Sequence, residues 1–238
     1  MYNFVHNFFK NLQILYLKNK RLSVIVSKGN ENGVLRKGRS GILRKKSHIL
    51  LGRYLADQMP VSESLQSHRK AFCLGNILPD IKPSFVTKRH EFFGTFGEVQ
   101  DKLRCLVTEN TDLLRERVFW RRLGEILHYI ADYFTFPHNR TFTGSLVEHN
   151  SYEKELKNQL KSCIKSGKAD CFAVNAIRFT DFDQVIEYIE DRHSDYLKKT
   201  RNITDDIRYI LEVCFQVFQG VLQFCKGFIS VSRPVFAL

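Results

Sequence analysis

Apolar residues recur along most of this 238-residue chain at intervals of three and four, the spacing of one face of an α-helix. The first organised stretch is KKSHILLGRYLADQ, residues 45–58. There Ile49, Leu50, Tyr54 and Leu55 share a face, and Ser47 can cap the helix start. A short helix is expected over Glu63–Leu74, broken at GNILPD by Gly75, Asn76 and Pro79. IKPSFVTKRHEFFGTFG then predicts irregular structure, and a helix follows over Glu98–Leu106. The strongest pattern runs from Leu113 to Phe136, with Val118, Leu123, Leu127, Ile130, Ala131 and Phe134 on one side. It stops before Pro137, whose ring restricts the preceding backbone. Further helices are predicted over Leu146–Ser166, ended by Gly167, and over Asp183–Lys199. The last, Ile203–Ser230, sets polar positions 208, 212, 216, 219, 223 and 226 in one stripe against Leu, Val, Phe and Cys. That stripe predicts a bundle helix rather than a membrane span. The closely spaced turn signals of an all-β chain are lacking. The elements therefore imply an all-α fold, a single-domain helical bundle.

Charge changes the picture at one end only. The chain carries a formal +12, but residues 1–47 hold eleven Lys or Arg against one acid, a net +10 that leaves +2 for the rest. The domain organisation expected is a basic, poorly ordered extension over residues 1–45 and an all-α domain over residues 46–238. A basic tail can bind nucleic acid or an anionic membrane; a solvated leader is the simpler reading. The start of the chain alternates basic and apolar residues with no clean apolar core, so no secretory signal is read there and a cytoplasmic location is expected. Six cysteines lie at positions 73, 105, 163, 171, 214 and 225 with no C-x-x-C pair. They predict free thiols and exclude a thiolate zinc ribbon.

The candidate chemistry lies in histidines paired with carboxylates. In HYIADYFTFPHN, His128 and Asp132 are four apart on a helix, so their side chains lie on one face, one turn apart. His138 follows just past the break at Pro137 and can turn back toward them. In HNSYE, His149 and Glu153 repeat the four-residue spacing. Two such pairs and a linking histidine suit a metal held between facing helices, and imidazole with carboxylate suits zinc. Each pair alone is more often a hydrogen-bonded surface pair. Asp80 alone reads as a turn residue, His48 as a residue of a helix start, and His90 as a solvated loop residue. The joint order and spacing carry the metal reading; His6, His68 and His193 have no such company and receive no role.

In that order, His48, Asp80, His90, HYIADYFTFPHN and HNSYE, the chain resembles the bacterial zinc-dependent phospholipase C family, whose fold is shared with single-strand-specific zinc nucleases. The match spans roughly residues 45–160. Its closing carboxylate is Glu153, as in the phospholipases, where the nucleases usually place Asp. The resemblance implies a zinc cluster between helices built from His48, Asp80, His90, His128, Asp132, His138, His149 and Glu153. His90, His128 and Asp132 would hold one zinc, and His138, His149 and Glu153 a second. Asp132 would bridge toward a third near His48, and Asp80 would be a ligand or the general base for the attacking water. Two features depart from the family. Its secreted members complete the third site with an N-terminal Trp, whereas the one Trp here is Trp120, inside a predicted helix. Its choline-specific members place an aromatic residue after the matching Asp, where this chain has Ile81, leaving the aromatic cage for a quaternary ammonium incomplete.

The resemblance implies a zinc-dependent phosphoric ester hydrolase cleaving a phospholipid headgroup by metal-activated water, with peripheral membrane contact and no stable protein partner. The alternatives are a nuclease or phosphomonoesterase on the same fold, the former with a nucleic acid partner, and a non-catalytic zinc-binding helical protein.

Overall fold

A computed structural model describes residues 37–59, 62–81, 90–108, 115–173, 175–199 and 202–225. Among the described residues there are seven α-helices, two short 3-10 turns and no strand. The helices are α1 (Lys37–Asp57), α2 (Glu63–Gly75), α3 (Phe92–Thr108), α4 (Glu116–Tyr133), α5 (Leu146–Lys165), α6 (Asp183–Lys198) and α7 (Ile203–Phe224). The 3-10 turns are Phe136–His138 and Lys168–Phe172. The fold is all-α, and its candidate metal-binding side chains lie between helices. No described helix is long and apolar enough to cross a membrane. The chain divides into two units, residues 1–42 and 43–238. The expected leader falls outside the described residues as far as residue 36.

Several helix boundaries follow local chemistry. Ser62 caps α2 by accepting the Leu65 N–H. Ser145 and Glu148 form a reciprocal capping box at the start of α5, and Asn202 caps α7 by accepting the Asp205 N–H. α4 ends at Tyr133, and Pro137 sits within the 3-10 turn that follows.

Three starts differ from the sequence reading, and the smallest change is that α4 begins at Glu116, with Arg115 outside the helix, rather than at Leu113. Ser47 lies inside α1, whose backbone is helical from Lys37, so it caps nothing. Residues 37–46 are mostly Lys, Arg, Leu and Ile, good helix formers that carry the helix past Gly38 and Gly41. α3 begins at Phe92 rather than Glu98. Gly94 and Gly97 read as breakers, yet both face open space, while Thr95, Phe96 and Val99 are buried. Burial on the opposite face outweighs the glycine penalty of about 1 kcal/mol each.

α2 and α4 form the most extensive helix pair among the described residues. Two glycines permit it. A Cβ on Gly75 would collide with the Arg121 carbonyl, and one on Gly124 with that of Phe72. Trp120 lies fully buried beside this crossing, its indole N–H donating to Ser64 Oγ at 2.8 Å. α7 is buried along most of its length and packs on α4, α5 and α6. Its polar stripe faces protein rather than only water. Gln216 accepts the Ile177 N–H and donates to the Asn175 carbonyl, and Gln223 accepts the Phe179 N–H, holding the extended chain before α6 in place. The six cysteines are free, Cys214 and Cys225 buried in the core.

Candidate metal centre

Asp132 is the hub of the site. It lies on the last turn of α4, one turn beyond His128 and two beyond Gly124. His48 Nε2, from α1, stands 3.2 Å from its Oδ1, and His90 Nδ1, just before α3, stands 3.0 Å from its Oδ2. His128 Nε2 is 3.3 Å from the same Oδ2, and His138 Nε2, on the 3-10 turn, is 3.9 Å from Oδ1. Asp80, in the turn after α2, brings Oδ1 to 3.9 Å from His128 Nε2. Glu153 is a second hub, its Oε1 at 2.7 Å from His149 Nε2 and 3.3 Å from His138 Nε2. All eight side chains singled out in the sequence thus meet in one connected group.

Ligand atoms lie within 4.8 Å of one another in three sets: His48, His128 and Asp132; Asp80, His90 and His128; and His138, His149 and Glu153. His128 belongs to two of them, and Asp80 groups directly with His90 and His128. Between the sets lies a cavity of about 30 Å³, bordered by His48 and Asp132 on one side and His138 and Glu153 on the other. It has room for a water or an ion.

The donor set fits zinc. It combines imidazole and carboxylate with no thiolate. Asp80 Oδ2 is buried with no hydrogen-bond partner, a costly state that a metal or a water relieves. His128 Nδ1 donates to the Asn76 carbonyl at 2.9 Å, which leaves the Nε2 lone pair aimed at the cluster.

The electrostatics follow from packing imidazoles around a buried carboxylate. Burial acts to raise the Asp132 pKa, but His138, His128 and His48 outweigh it and hold the carboxyl well below the usual range. Burial lowers the His128 imidazole, but Asp132 and Asp80 more than compensate and raise it. His48 is lowered, by burial first and by His128 second, more than Asp132 and Asp80 raise it.

Four residues that the sequence did not single out support the site. Asn76 supplies the carbonyl that orients His128. Asn139, directly after His138, donates its amide to the Tyr133 and Thr135 carbonyls and accepts from His193 Nε2 at 3.1 Å. His193, given no role from sequence, is buried and stacked on Phe92. Asp206 accepts the Phe136 N–H at 2.9 Å, two residues before His138. In sequence, Asn139 is visible only as the neighbour of His138, and Asp206 only as an acid in a first helical turn. His68 bonds the Ser64 carbonyl and approaches Glu116, outside the cluster, and His6 lies outside the described residues.

The family described as zinc dependent phospholipase C matches residues 47–203, a span that contains all eight candidate ligands, His48 near its start. No curated protein and no solved structure matches the chain.

Proposed function

Because the chain belongs to the zinc-dependent phospholipase C family, hydrolases with zinc as cofactor, we propose that it cleaves the phosphodiester linking diacylglycerol to a phospholipid headgroup. The observation that carries the reading is the pair of hubs. Asp132 and Glu153, with His128 linking Asp80, join eight imidazole and carboxylate side chains from separate elements into one group, and a small cavity lies against His48, Asp132, His138 and Glu153. In this reading the three ligand sets hold the zinc ions. When bound, zinc lowers the pKa of a coordinated water to about 7 and offsets charge on the phosphoryl oxygens. Asp80 fits the general base, because Oδ2 is buried and unpartnered and can accept the water's proton. The water oxygen joins phosphorus, the phosphorus–oxygen bond to glycerol breaks, and the glycerol oxygen takes up a proton. The low pKa of Asp132 keeps it an acceptor throughout.

Exposed apolar side chains close in sequence to the candidate ligands favour a lipid over a nucleic acid. Five large apolar side chains are exposed among the described residues, and four lie within three positions of a candidate ligand. These are Ile81 beside Asp80, Phe93 near His90, and Leu146 and Val147 near His149. Arg140, two residues after His138, lays its guanidinium on the Phe93 ring at 4.8 Å. Apolar side chains with a cation suit an acyl–glycerol interface and its phosphate. Ile81 in place of an aromatic residue disfavours strict choline recognition.

Purified protein loaded with zinc should release diacylglycerol and a phosphorylated headgroup from phospholipid vesicles and leave single-stranded DNA intact. Cleavage of DNA alone would sink the phospholipid reading, and zinc binding without hydrolysis of any phosphodiester would sink the enzymatic one.

A further inference from the structure

The His138, His149 and Glu153 set is carried by two elements, the 3-10 turn Phe136–His138 and helix α5, and its geometry depends on how far apart these stand. We propose that Asp206, on α7, is the positioning residue that fixes this spacing by joining both elements through one carboxylate oxygen. The inference rests on the reading that this set holds zinc.

Asp206 Oδ2 accepts the Phe136 N–H at 2.9 Å and the Tyr152 O–H at 2.8 Å. Phe136 lies two residues before His138, and Tyr152 directly precedes Glu153. Oδ1 accepts a third donor, the Tyr196 O–H of α6, at 2.7 Å. The Phe136 and Tyr152 rings meet edge to face at 5.9 Å, so the two elements are also in apolar contact at this point. Asp206 is fully buried. A carboxylate accepts only, so the two donors on Oδ2 tie both ligand-bearing elements to one atom, while the bond on Oδ1 ties α7 to α6.

Packing alone does not call for a charge here. A buried carboxylate is expensive, and apolar residues of similar volume are often neutral or stabilising in its place. Burial lifts the Asp206 carboxyl to about 6 even with its three donors. Placement in the first turns of α7 offsets part of that penalty through the helix dipole. What the carboxylate provides and an apolar side chain cannot is a directional bond to a main-chain N–H of one ligand-bearing element and a side chain of the other. Outer-sphere bonds of this kind hold metal ligands within the narrow tolerance a zinc site needs.

The contrast between two tyrosines tests this directly. Tyr152→Phe cuts the link to α5. Tyr196→Phe removes a bond of similar length to the same carboxylate but leaves the link intact. Zinc content and affinity of the full chain are read by metal analysis and chelator competition, with His149→Ala identifying the zinc of this set. Asp206→Ala and Tyr152→Phe should weaken that zinc by roughly tenfold to a hundredfold. The remaining metal should be retained, with Asp206→Asn intermediate. Tyr196→Phe should lower the melting temperature and leave every zinc affinity unchanged. If Asp206→Ala does not fold, Tyr152→Phe carries the test. Wild-type zinc affinity in Tyr152→Phe, or equal weakening by Tyr196→Phe, overturns the positioning role. Equal zinc content in wild type and His149→Ala overturns instead the reading that this set holds zinc.

Discussion

The inner and outer halves of the metal centre are built by different means. The inner half comprises His48, Asp80, His90, His128 and Asp132, all buried. Its frame is the α2–α4 crossing, where backbones touch at Gly75 and Gly124 and the Asn76 carbonyl fixes the His128 ring. The outer half comprises His138, His149 and Glu153, its imidazole side chains 9% and 15% exposed. It is framed by hydrogen bonds to buried polar side chains: Asp206 accepts the Phe136 N–H before His138, and Asn139 after it donates to the Tyr133 and Thr135 carbonyls and accepts from His193. Close-packed backbone resists displacement because any shift opens gaps or makes clashes along the whole crossing. A hydrogen-bonded frame yields one bond at a time. The inner metal is therefore expected to be the more tightly held, and stepwise chelation should empty the outer set first.

The largest effect that tests this difference comes from the hub of the inner half. Asp132→Ala removes the carboxylate facing His48, His90, His128 and His138. Inner zinc should be lost and turnover should fall by about a thousandfold or more, the several kcal/mol a catalytic metal contributes. Metal analysis beside an assay on phospholipid vesicles checks it; full activity in a protein without inner zinc would refute the metal reading. Glu153→Ala should act more narrowly. It should release the outer zinc, leave the inner content unchanged, and lower turnover by about a hundredfold. Equal loss of all zinc in both variants would erase the distinction between the halves.

How much of each half is legible in the sequence follows the same division. His128 with Asp132 and His149 with Glu153 stand out because a four-residue spacing on a helix is a local property. Pro137 likewise marks the turn that brings His138 back. The start of α3 was not legible, since whether Gly94 and Gly97 break a helix depends on which face Thr95 and Phe96 bury. The frames are the least visible. Asn76 acts through its main-chain carbonyl, which no side-chain pattern reveals. Asp206 pairs with a main-chain N–H seventy residues away, a partnership set by the docking of α7. Gln216 and Gln223 of α7 lie in a visible stripe, but only the fold shows that they bond the chain before α6.

Gly124→Ala attacks the inner frame without touching a ligand. The added Cβ meets the Phe72 carbonyl and crowds the Asn76 main chain and side chain. Neither backbone can yield without separating α2 from α4. Loss of about 3 kcal/mol of stability is expected, at the upper end of overpacking effects. Because the displaced segment includes Asn76, inner zinc affinity should drop while the outer set keeps its own. Denaturant unfolding and chelator competition on the same variant read both quantities. Unchanged inner affinity would mean that the crossing supports the fold alone.

The smallest effect belongs to the outer frame and appears as a pH dependence. Burial holds the His193 imidazole down at about 4, against an ordinary value of 6.5. The unfolded chain therefore takes up a proton between those values and the folded chain does not. His193 contributes no pH dependence above 6.5, and its presence destabilises progressively as pH falls from there toward 4. Asp206 works in the opposite direction. Its carboxyl is raised to about 6, so the folded state binds a proton there before the unfolded state does and gains stability as pH falls. Wild-type stability alone would blend the two, so the difference between wild type and a His193 variant is the useful quantity. His193→Gln keeps a donor for Asn139 Oδ1 and removes the titration. In metal-free protein the variant should gain about 1.5 kcal/mol relative to wild type between pH 6.5 and pH 5, the linkage expected for one proton across most of that interval. Denaturant unfolding at the two pH values measures it. A pH-independent difference would show that His193 keeps its proton equilibrium on folding, and the buried, neutral role assigned to it behind the His138 turn would fall.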